Sequence, residues 1–392
     1  MTHAARVARE RRPSPPFTDE HEQLREAVRR FVERELRPHA EEWEDARWFP
    51  NSVFERMAEL GYLGLKYPEA HGGEGGDHLH DAVLVEELSR CGSGGVAAGI
   101  GAHIGIATPP VWKFGTDDQK RRFLEPAIRG ERIAALGITE PDAGSDVAGI
   151  RTFARRTDGG YVVNGSKTFI TNGVRADFVV TAVKTTQEGG HHGLSFLIVE
   201  KGMEGFSVSR KLEKMGWHAS DTAELSFEDV FVPEANLLGE ENRGFYLIMA
   251  NFQWERLLMA LGAVGSMFNL LEATIAYATE RRAFGREIGH FQAVRHRIAE
   301  MALRAEYGRA MTYNALRLFA AGENAIGEVT MAKLATQRDA FRQADDAIQV
   351  FGGAGYMREY GVERAARDLR LGPIGGGTDE IMKEILSKQL GL

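Results

Sequence analysis

The segment 139–146 combines residue types that together could bind an anion. It reads Thr-Glu-Pro-Asp-Ala-Gly-Ser-Asp, so a glycine lies beside hydroxyl and carboxylate side chains. A turn that contains glycine exposes backbone N–H groups, and these groups bind phosphate or carboxylate oxygens together with nearby hydroxyls. The same composition is typical of an ordinary polar turn. The segment is therefore a candidate anion site that needs support from other parts of the chain.

Metal chemistry has few candidate ligands in this sequence. Cys91 is the single cysteine, which excludes an internal disulfide framework and a cysteine-based zinc site. His191 and His192 adjoin in a glycine-rich loop, but a metal ion needs more ligands than this pair supplies. We interpret them as solvated surface and expect no metal site. The lone cysteine fits a reducing compartment, so we expect a cytoplasmic protein.

Composition places the chain among ordinary globular proteins. Its 392 residues are 43% hydrophobic and 27% charged, with a net charge of −8. These values argue against wholesale disorder and give no sign of a nucleic-acid surface. No run of 18 apolar residues occurs, so we expect no membrane span. The arginine-rich start contains Glu10 and lacks an apolar face, which favours a disordered tail over 1–16 rather than a transit peptide.

Helical periodicity dominates the first and last thirds of the chain. Apolar residues recur at helical spacing from Leu24 to Leu36, and Thr18 is a plausible cap, which predicts a helix over 19–42. The segment 96–112 indicates a buried helix and its turn. Further helices are predicted over 52–60, 78–89, 117–128, 246–280, 291–321, 327–351 and 379–389. The three long segments and the short final one suggest a four-helix bundle.

Between these helical regions the pattern changes to short alternating runs. Glycine, aspartate and asparagine clusters separate the runs, which is typical of a small β-barrel or sandwich. Strands are predicted over 133–138, 151–156, 161–168, 178–183, 194–199, 206–210 and 223–227. The fold class is therefore α+β and mostly α. It has an N-terminal helical domain (17–132), a middle β domain (133–236) and a C-terminal helical bundle (237–392). This order lacks the βαβ alternation of a Rossmann fold, so we interpret the glycines of 99–105 as close helix packing.

Five further blocks follow the segment 139–146. They are Lys167-Thr168-Phe169-Ile170-Thr171-Asn172-Gly173, Lys214-Met215-Gly216-Trp217, Arg281-Arg282-Ala283-Phe284-Gly285 with Gln292, Gln349-Val350-Phe351-Gly352-Gly353-Ala354-Gly355-Tyr356 and Gly375-Gly376-Gly377-Thr378-Asp379-Glu380-Ile381-Met382. Taken singly, the arginine pair is typical of a solvated helix end and the Gly-Gly pair of a helix C-cap. In this order and spacing, the six blocks resemble the acyl-CoA dehydrogenase family from about residue 18 to the C-terminus.

The resemblance implies FAD bound between the middle domain and the bundle. The residues that it places on the flavin, its pyrophosphate and the nearby end of the bundle are Thr139, Gly144, Ser145, Phe169, Thr171, Thr378 and Glu380. It also implies that a neighbouring subunit binds the adenosine diphosphate end through its copies of Arg281, Phe284, Gln292, Gln349 and Gly353. The expected assembly is therefore a homotetramer built as a dimer of dimers.

The expected reaction removes the α-proton of a saturated acyl-CoA and transfers the β-hydrogen as hydride to flavin N5. Many family members place the catalytic glutamate where this chain has Gly376, directly before Gly-Thr. Glu255, on the first long bundle helix, matches the base of the long-chain and isovaleryl-type members, so we expect it to be the base. The alternative is an exposed glutamate paired with an arginine. Gly376 would still offer its backbone N–H to the thioester oxygen.

The resemblance also implies the substrate contacts and partners. Ser145, Arg256 and Gly375 are expected at the substrate, although Arg256 could equally form a structural ion pair. The three adjacent glycines favour a medium-to-long or branched acyl chain, and an electron-transfer flavoprotein is the expected electron acceptor. The alternatives are a flavin-dependent oxidase or monooxygenase, a dehydrogenase of acyl groups on a carrier protein, and a non-catalytic scaffold.

Overall fold

The computed structural model describes residues 14–186 and 190–392. Most of the predicted tail, residues 1–13, therefore lies outside the described residues. Of the remaining tail residues, Ser14 accepts a hydrogen bond of 2.8 Å from Arg309 and so contacts the C-terminal region. In the loop of the two adjacent histidines, His192 is exposed, and the side chain of His191 lies outside the described residues.

The first third of the chain is helical. Its helices are α1 (Asp19–Phe31), α2 (Ala40–Ala46), α3 (Ser52–Glu59), α4 (His78–Leu88), α5 (Gly94–Gly101), α6 (Thr108–Phe114), α7 (Asp117–Gln119) and α8 (Glu125–Ile128). The helix predicted over 19–42 is present as a helical path that runs from Asp19 to Ala46, but this path is not one regular α-helix. A π-helical segment and a 3₁₀ turn separate α1 from α2, and the turn contains Pro38, which lacks the N–H needed to continue an α-helix.

A second difference concerns the predicted helix and turn over 96–112. The π-helical segment Ala102–Ala107 joins α5 directly to α6, so the helical path continues to Phe114. Pro109 and Pro110 do not end this path because they lie in the first turn of α6, where a missing N–H is tolerated. This path forms one wall of the cavity described below.

The middle region forms one mixed sheet of eight strands. They are β1 (Ala134–Gly137), β2 (Phe153–Thr157), β3 (Gly160–Thr171), β4 (Phe178–Lys184), β5 (Leu194–Glu200), β6 (Phe206–Lys211), β7 (Thr222–Pro233) and β8 (Leu237–Leu238). The order is β6-β7-β3-β2-β4-β5-β8, and β1 pairs in parallel with β4. All seven predicted strands are present. β3 and β7 are longer than predicted because irregular register interrupts their alternation without ending their pairing.

The last third is a helical bundle with a two-stranded hairpin. Its elements are α9 (Gly244–Glu280), β9 (Arg282–Ala283), β10 (Arg286–Glu287), α10 (Gln292–Ala320), α11 (Ile326–Phe351), α12 (Val362–Leu369) and α13 (Asp379–Gln389). Helices α9, α10 and α11 pack against one another, and α13 packs against α11. Helix α9 is long and apolar enough to cross a membrane, but 56% of its most apolar window is buried in the protein. That burial is typical of the core helix of a bundle.

The core is continuous across the three regions. One cluster joins α6 and α8 to strands β4 and β5, and another joins α4 to α9, α10 and α11. Helix α9 thus packs on the N-terminal helices at one end and on its own bundle along its length. The three regions meet around a large cavity, which holds most of the residues singled out by the sequence.

Candidate active site

The cavity has a volume of about 1560 Å³ and is lined by residues from all three regions. It brings together most of the predicted flavin and substrate residues: Thr139, Gly144, Ser145, Phe169, Thr171, Glu255, Arg256, Gly375, Gly376 and Thr378. These residues span nearly 240 positions of sequence, so their convergence depends on the fold. A concave site with a few convergent polar groups is the usual form of a cofactor site.

A buried ion pair fixes the turn that follows β1. Lys167, on β3, lies 2.7 Å from Glu140 within that turn and also donates to the carbonyl of Ile138 at 2.9 Å. The Glu140 carboxylate accepts backbone N–H groups of Arg151 and Thr152 at 2.5 and 2.9 Å. Lys167 is fully buried, and its burial lowers the pKa of its ammonium to about 8. The ion pair therefore anchors the buried side of the turn, and the opposite side faces the cavity.

Gly144 keeps that face of the turn open. A Cβ atom at this position would meet nothing within 4 Å, so the glycine borders free space rather than another part of the chain. Ser145 lines the same stretch of the cavity. An anion could approach the backbone here more closely than at any bulkier residue. The expectation of an anion-binding turn fits this geometry.

Phe169 presents an aromatic ring at the cavity wall. The pairing of β3 with β7 shifts register between Lys167 and Ile170, and Phe169 adopts a φ of 60° within this irregularity. Its side chain is 67% exposed, although its neighbours Thr168 and Ile170 are buried. A bulge commonly redirects a side chain next to a functional site. Thr171 ends the same strand and also lines the cavity.

Glu255 is the carboxylate of α9 at the cavity wall. Burial raises its pKa to about 7, and the positive charges of Arg256 and Lys333 oppose that rise. Its Oε2 atom is buried and has no hydrogen-bond partner among the described residues. A buried polar atom without a partner calls for a functional explanation, and a carboxylate with a pKa near neutrality can act as a general base.

The three-glycine segment 375–377 lies directly against Glu255. Gly376 and Gly377 have φ angles of 61° and 93°, which disfavour any other residue type. A Cβ atom at Gly376 would lie 3.9 Å from Glu255 Oε1 and would overlap the sulfur of Met259. A side chain at position 376 would therefore displace the side chain of Met259, and the carboxylate beside this position comes from α9. Arg256 Nε donates to the carbonyl of Gly376 at 3.3 Å.

The other predicted residues do not line the cavity. Glu380 is exposed on the first turn of α13, whereas its neighbour in the cavity lining, Thr378, caps that helix by accepting the N–H of Ile381 at 3.3 Å. The residues predicted to serve a neighbouring subunit all lie on the surface of this chain, outside the cavity lining: Arg281, Phe284, Gln292, Gln349 and Gly353. Phe284 is 94% exposed and has a φ of 51°.

Sequence reasoning missed the residues that support the site from behind. Lys333, on α11, donates to the carbonyls of Gly372 and Gly377 at 2.9 and 2.6 Å. The sequence held a signal for this role: Lys333 falls on the helical stripe of Val329, Thr336 and Ala340, which are buried. A lysine on an apolar stripe needs a partner.

One group of potential metal ligands occurs among the described residues, namely His21, Asp77 and His80. None of them lines the cavity. Nδ1 of His21 lies 2.8 Å from the hydroxyl of Thr18, and Nδ1 of His80 lies 2.9 Å from Asp77 Oδ1, so both rings serve as caps of α1 and α4. The helix caps account for this group without an ion.

Protein-family comparisons match nearly the whole chain. The N-terminal domain of acyl-CoA dehydrogenase matches residues 18–131, the middle domain matches 135–230, and the C-terminal domain matches 242–391. The mouse protein named long-chain specific acyl-CoA dehydrogenase, mitochondrial, is 41% identical over 378 residues, covering 95% of this chain and 87% of its own. The potato protein named isovaleryl-CoA dehydrogenase, mitochondrial, is 39% identical, covering 95% and 91%.

Solved structures of acyl-CoA dehydrogenases also resemble this chain. A probable acyl-CoA dehydrogenase from Mycobacterium abscessus superposes with a TM-score of 0.93 at 46% identity, covering 95% of this chain and 99% of its own. Two structures at 32% identity are the FAD complex of PigA and the prolyl acyl carrier protein oxidase AnaB, with TM-scores of 0.93 and 0.91. They cover 97% and 96% of this chain, and 99% and 100% of their own. With three matched domains in order and relatives near 40% identity over 95% of its length, this chain belongs to the acyl-CoA dehydrogenase family.

Proposed function

We propose that this enzyme oxidises a saturated acyl-CoA to the trans-2-enoyl-CoA, with Glu255 as the base that removes the α-proton. The observation that carries the proposal is the Glu255 carboxylate at the cavity wall, with a pKa raised to about 7 by burial and its Oε1 atom next to position 376. A base works best when its pKa lies near the operating pH. A Cβ at position 376 would overlap the Met259 sulfur, so a glutamate there could not replace Glu255 without rearrangement of Met259.

The cavity fits FAD. The open face at Gly144, the hydroxyl of Ser145 and the exposed ring of Phe169 supply, in turn, free space for a phosphate, a hydrogen-bond donor and a surface for an aromatic ring. Thr171 and Thr378 add hydroxyl groups to the cavity lining. FAD, when bound, accepts the β-hydrogen as hydride. The chain itself binds and orients the acyl thioester, excludes water, and receives the α-proton at Glu255.

The thioester carbonyl is expected next to the backbone of Gly376 and near Ser145. Backbone N–H donors at this point would stabilise negative charge on the carbonyl oxygen as the α-proton leaves. Arg256 reinforces this arrangement, because its donation to the Gly376 carbonyl fixes the orientation of that backbone segment. Gly375, whose added Cβ would make only ordinary contacts with Leu371 and Met259, lines the same part of the cavity.

The acyl chain is proposed to be medium to long, or branched. Small residues widen the cavity between α4, α5 and α9: a Cβ at Gly101 would meet nothing within 4 Å, and one at Gly262 would only reach Val85 at 4.0 Å. The names of the mouse and potato relatives, long-chain and isovaleryl, agree with a cavity of this kind.

We also propose a homotetramer in which a neighbouring subunit completes each FAD site, a cytoplasmic location and electron transfer to an electron-transfer flavoprotein. The support for the assembly is the exposure of Arg281, Phe284 and Gln349 outside the cavity of their own chain. An exposed aromatic ring such as that of Phe284 favours burial against another protein surface.

A second candidate is oxidation of an acyl group attached to a carrier protein, with oxygen as the electron acceptor. The similarity to the prolyl acyl carrier protein oxidase AnaB favours it, at 32% identity over 96% of this chain. The two candidates differ in their handling of oxygen, because a dehydrogenase protects its reduced flavin from rapid reoxidation and an oxidase does not.

Anaerobic titration of the purified holoprotein with straight and branched acyl-CoAs tests the proposal. Bleaching of the oxidised-flavin absorbance by some of these compounds is the expected result, and the pattern ranks chain length and branching together. A flavin-containing protein that no acyl-CoA bleaches, but that a carrier-bound acyl group reduces, would shift the assignment to the second candidate. A colourless protein that does not take up FAD would overturn both.

A further inference from the structure

Lys333 is a fully buried lysine that does not line the cavity, yet it lies behind the glycine segment that does. Its ammonium donates to the carbonyl of Gly372 at 2.9 Å and to that of Gly377 at 2.6 Å. These two residues mark the ends of the segment that contains Gly376. One side chain of α11 therefore anchors both ends of a loop with no regular hydrogen-bond ladder of its own.

The same turn of α11 also contacts the helix that carries Glu255. Gln337, one turn after Lys333, donates from Nε2 to the carbonyl of Met259 at 2.6 Å. The side chain of Met259 in turn occupies the space where a Cβ of Gly376 would lie. Lys333 thus fixes the glycine loop, while Gln337 fixes the part of α9 that lies one turn after Glu255.

The positive charge of Lys333, and not only its position, connects it to the reaction. The ionisable groups that act on its ammonium are Asp379 and Glu380 on α13 and Glu255 and Arg256 on α9. Asp379 is already paired with Arg338 at 2.6 Å. Burial lowers the pKa of Lys333 to about 8, so near neutral pH the ammonium remains mostly charged. That charge favours the ionised, proton-accepting form of Glu255.

We propose that Lys333 is a positioning residue of the dehydrogenation site. Its two hydrogen bonds hold the loop so that the backbone of Gly376 stays beside Glu255, and its positive charge stabilises the Glu255 carboxylate. This inference rests on the proposed function, because it assigns Lys333 to the reaction in which Glu255 is the base. It adds a charged group outside the cavity to the machinery that sets the protonation of that base.

The test compares Lys333→Met and Lys333→Gln with wild type. Methionine keeps the length of the side chain but removes both hydrogen bonds and the charge, whereas glutamine removes the charge and keeps one possible donor. For Lys333→Met we expect FAD to stay bound and kcat to fall about 10- to 100-fold, because small displacements of catalytic groups have effects of that size. The acidic limb of the kcat/KM pH profile, on which activity rises as Glu255 loses its proton, should also move upward by about half a unit to one unit. Lys333→Gln should show the same shift in pH with a smaller loss of kcat.

Gln343→Met provides a matched control on the same helix. Gln343 is buried, and its Nε2 atom donates to the carbonyl of Met267 on α9 at 2.7 Å, which makes it a similar link away from the glycine loop. This variant should lose some thermal stability and keep the wild-type pH profile. A general loosening of the helix pair would affect both substitutions alike.

Wild-type pH profiles in folded Lys333 variants with bound FAD would overturn the inference. It would also be overturned if both Lys333 variants failed to fold and Gln343→Met folded normally. Failure of the proposed function is a separate outcome, since wild type itself would then not be reduced by any acyl-CoA.

Discussion

Glu255 is the residue on which the proposed proton transfer depends. Replacement by glutamine keeps the shape of the side chain and removes the proton acceptor, so Glu255→Gln should bind FAD and acyl-CoA but lose about 10²–10⁴-fold in the rate of flavin reduction. The measurement is the anaerobic rate of bleaching after rapid mixing. Glu272→Gln is the control, because Glu272 is an exposed residue of the same helix that pairs with Arg90 at the surface. Wild-type rates in Glu255→Gln would remove this residue from the mechanism.

The same residue should make stability depend on pH. Its carboxyl has a pKa of about 7 in the folded protein against 4.5 for an ordinary glutamate. Between these values the unfolded chain ionises while the folded chain stays protonated, so stability is full at low pH and falls as pH rises through 7. At about 1.4 kcal/mol per pKa unit, and allowing for water in the cavity, the loss is about 1–3 kcal/mol. Glu255→Gln should match wild type near pH 4, below the pKa of the unfolded chain, and unfold at a higher temperature near pH 8. Identical pH curves of Tm would show that the site does not disfavour the charge.

Gly376 and Met259 should behave as a coupled pair. Gly376→Ala places a methyl group on the Met259 sulfur at a positive φ, so we expect a loss of about 1–3 kcal/mol in stability and a clear loss of activity. Met259→Ala removes the clash, and the double variant should therefore lose less than the sum of the single variants. Thermal unfolding and steady-state rates of the four proteins measure this coupling. Additive effects would mean that the contact with Met259 is not the reason why position 376 requires glycine.

At the scale of elements, periodicity predicted the bundle helices and the strands but not the irregular backbone. Helix α13 spans Asp379–Gln389 as predicted, and the long bundle helices agree within two residues at each end. The patterns did not predict the π-helical segment and the 3₁₀ turn with Pro38 between α1 and α2, or the register shift around Phe169 in β3. The site residues came from a family resemblance, since no period places Glu255 beside Gly376. That proximity depends on tertiary packing of α9 against the loop between α12 and α13.

The buried ion pair that supports the turn 139–146 leads to a prediction at this scale. Lys167→Met leaves the Glu140 carboxylate buried without its partner, which should destabilise the protein by about 3–5 kcal/mol and reduce its FAD content. The double variant Glu140→Gln and Lys167→Met should recover part of both losses, since no charge is left unpaired. Tm and the ratio of flavin to protein absorbance report the two effects. Lys201→Met, at an exposed turn, is the control. A wild-type flavin content in Lys167→Met would show that the ion pair does not shape the cofactor site.

At the scale of the whole molecule, the chain separates two groups of predicted FAD residues. One group lines the cavity of the chain. The other group is exposed, and it includes Arg281, just before the hairpin β9–β10, and Phe284 within that hairpin. Because the second group lies outside the cavity lining of its own chain, we expect it to serve the FAD of another subunit. In a dimer of dimers, each cavity would instead meet the exposed group of its neighbour. In any one chain, the cavity-lining group would then belong to one FAD site and the exposed group to another.

Subunit mixing tests this arrangement. Arg281→Ala should weaken FAD binding to the neighbouring cavity, and Glu255→Gln should inactivate its own. When the two variants are unfolded together and refolded with FAD, some dimers combine one chain of each kind. In such a dimer, the cavity of the Arg281→Ala chain has an intact Glu255 and faces an intact Arg281, so it should regain activity. With random pairing, half of the dimers are mixed and each has one intact site, so about a quarter of wild-type activity should return. The control is wild type refolded together with a chain that carries both substitutions. This mixture contains the same two substitutions, but both are on one chain. Mixtures with no activity above either parent would show that each chain builds its FAD site alone.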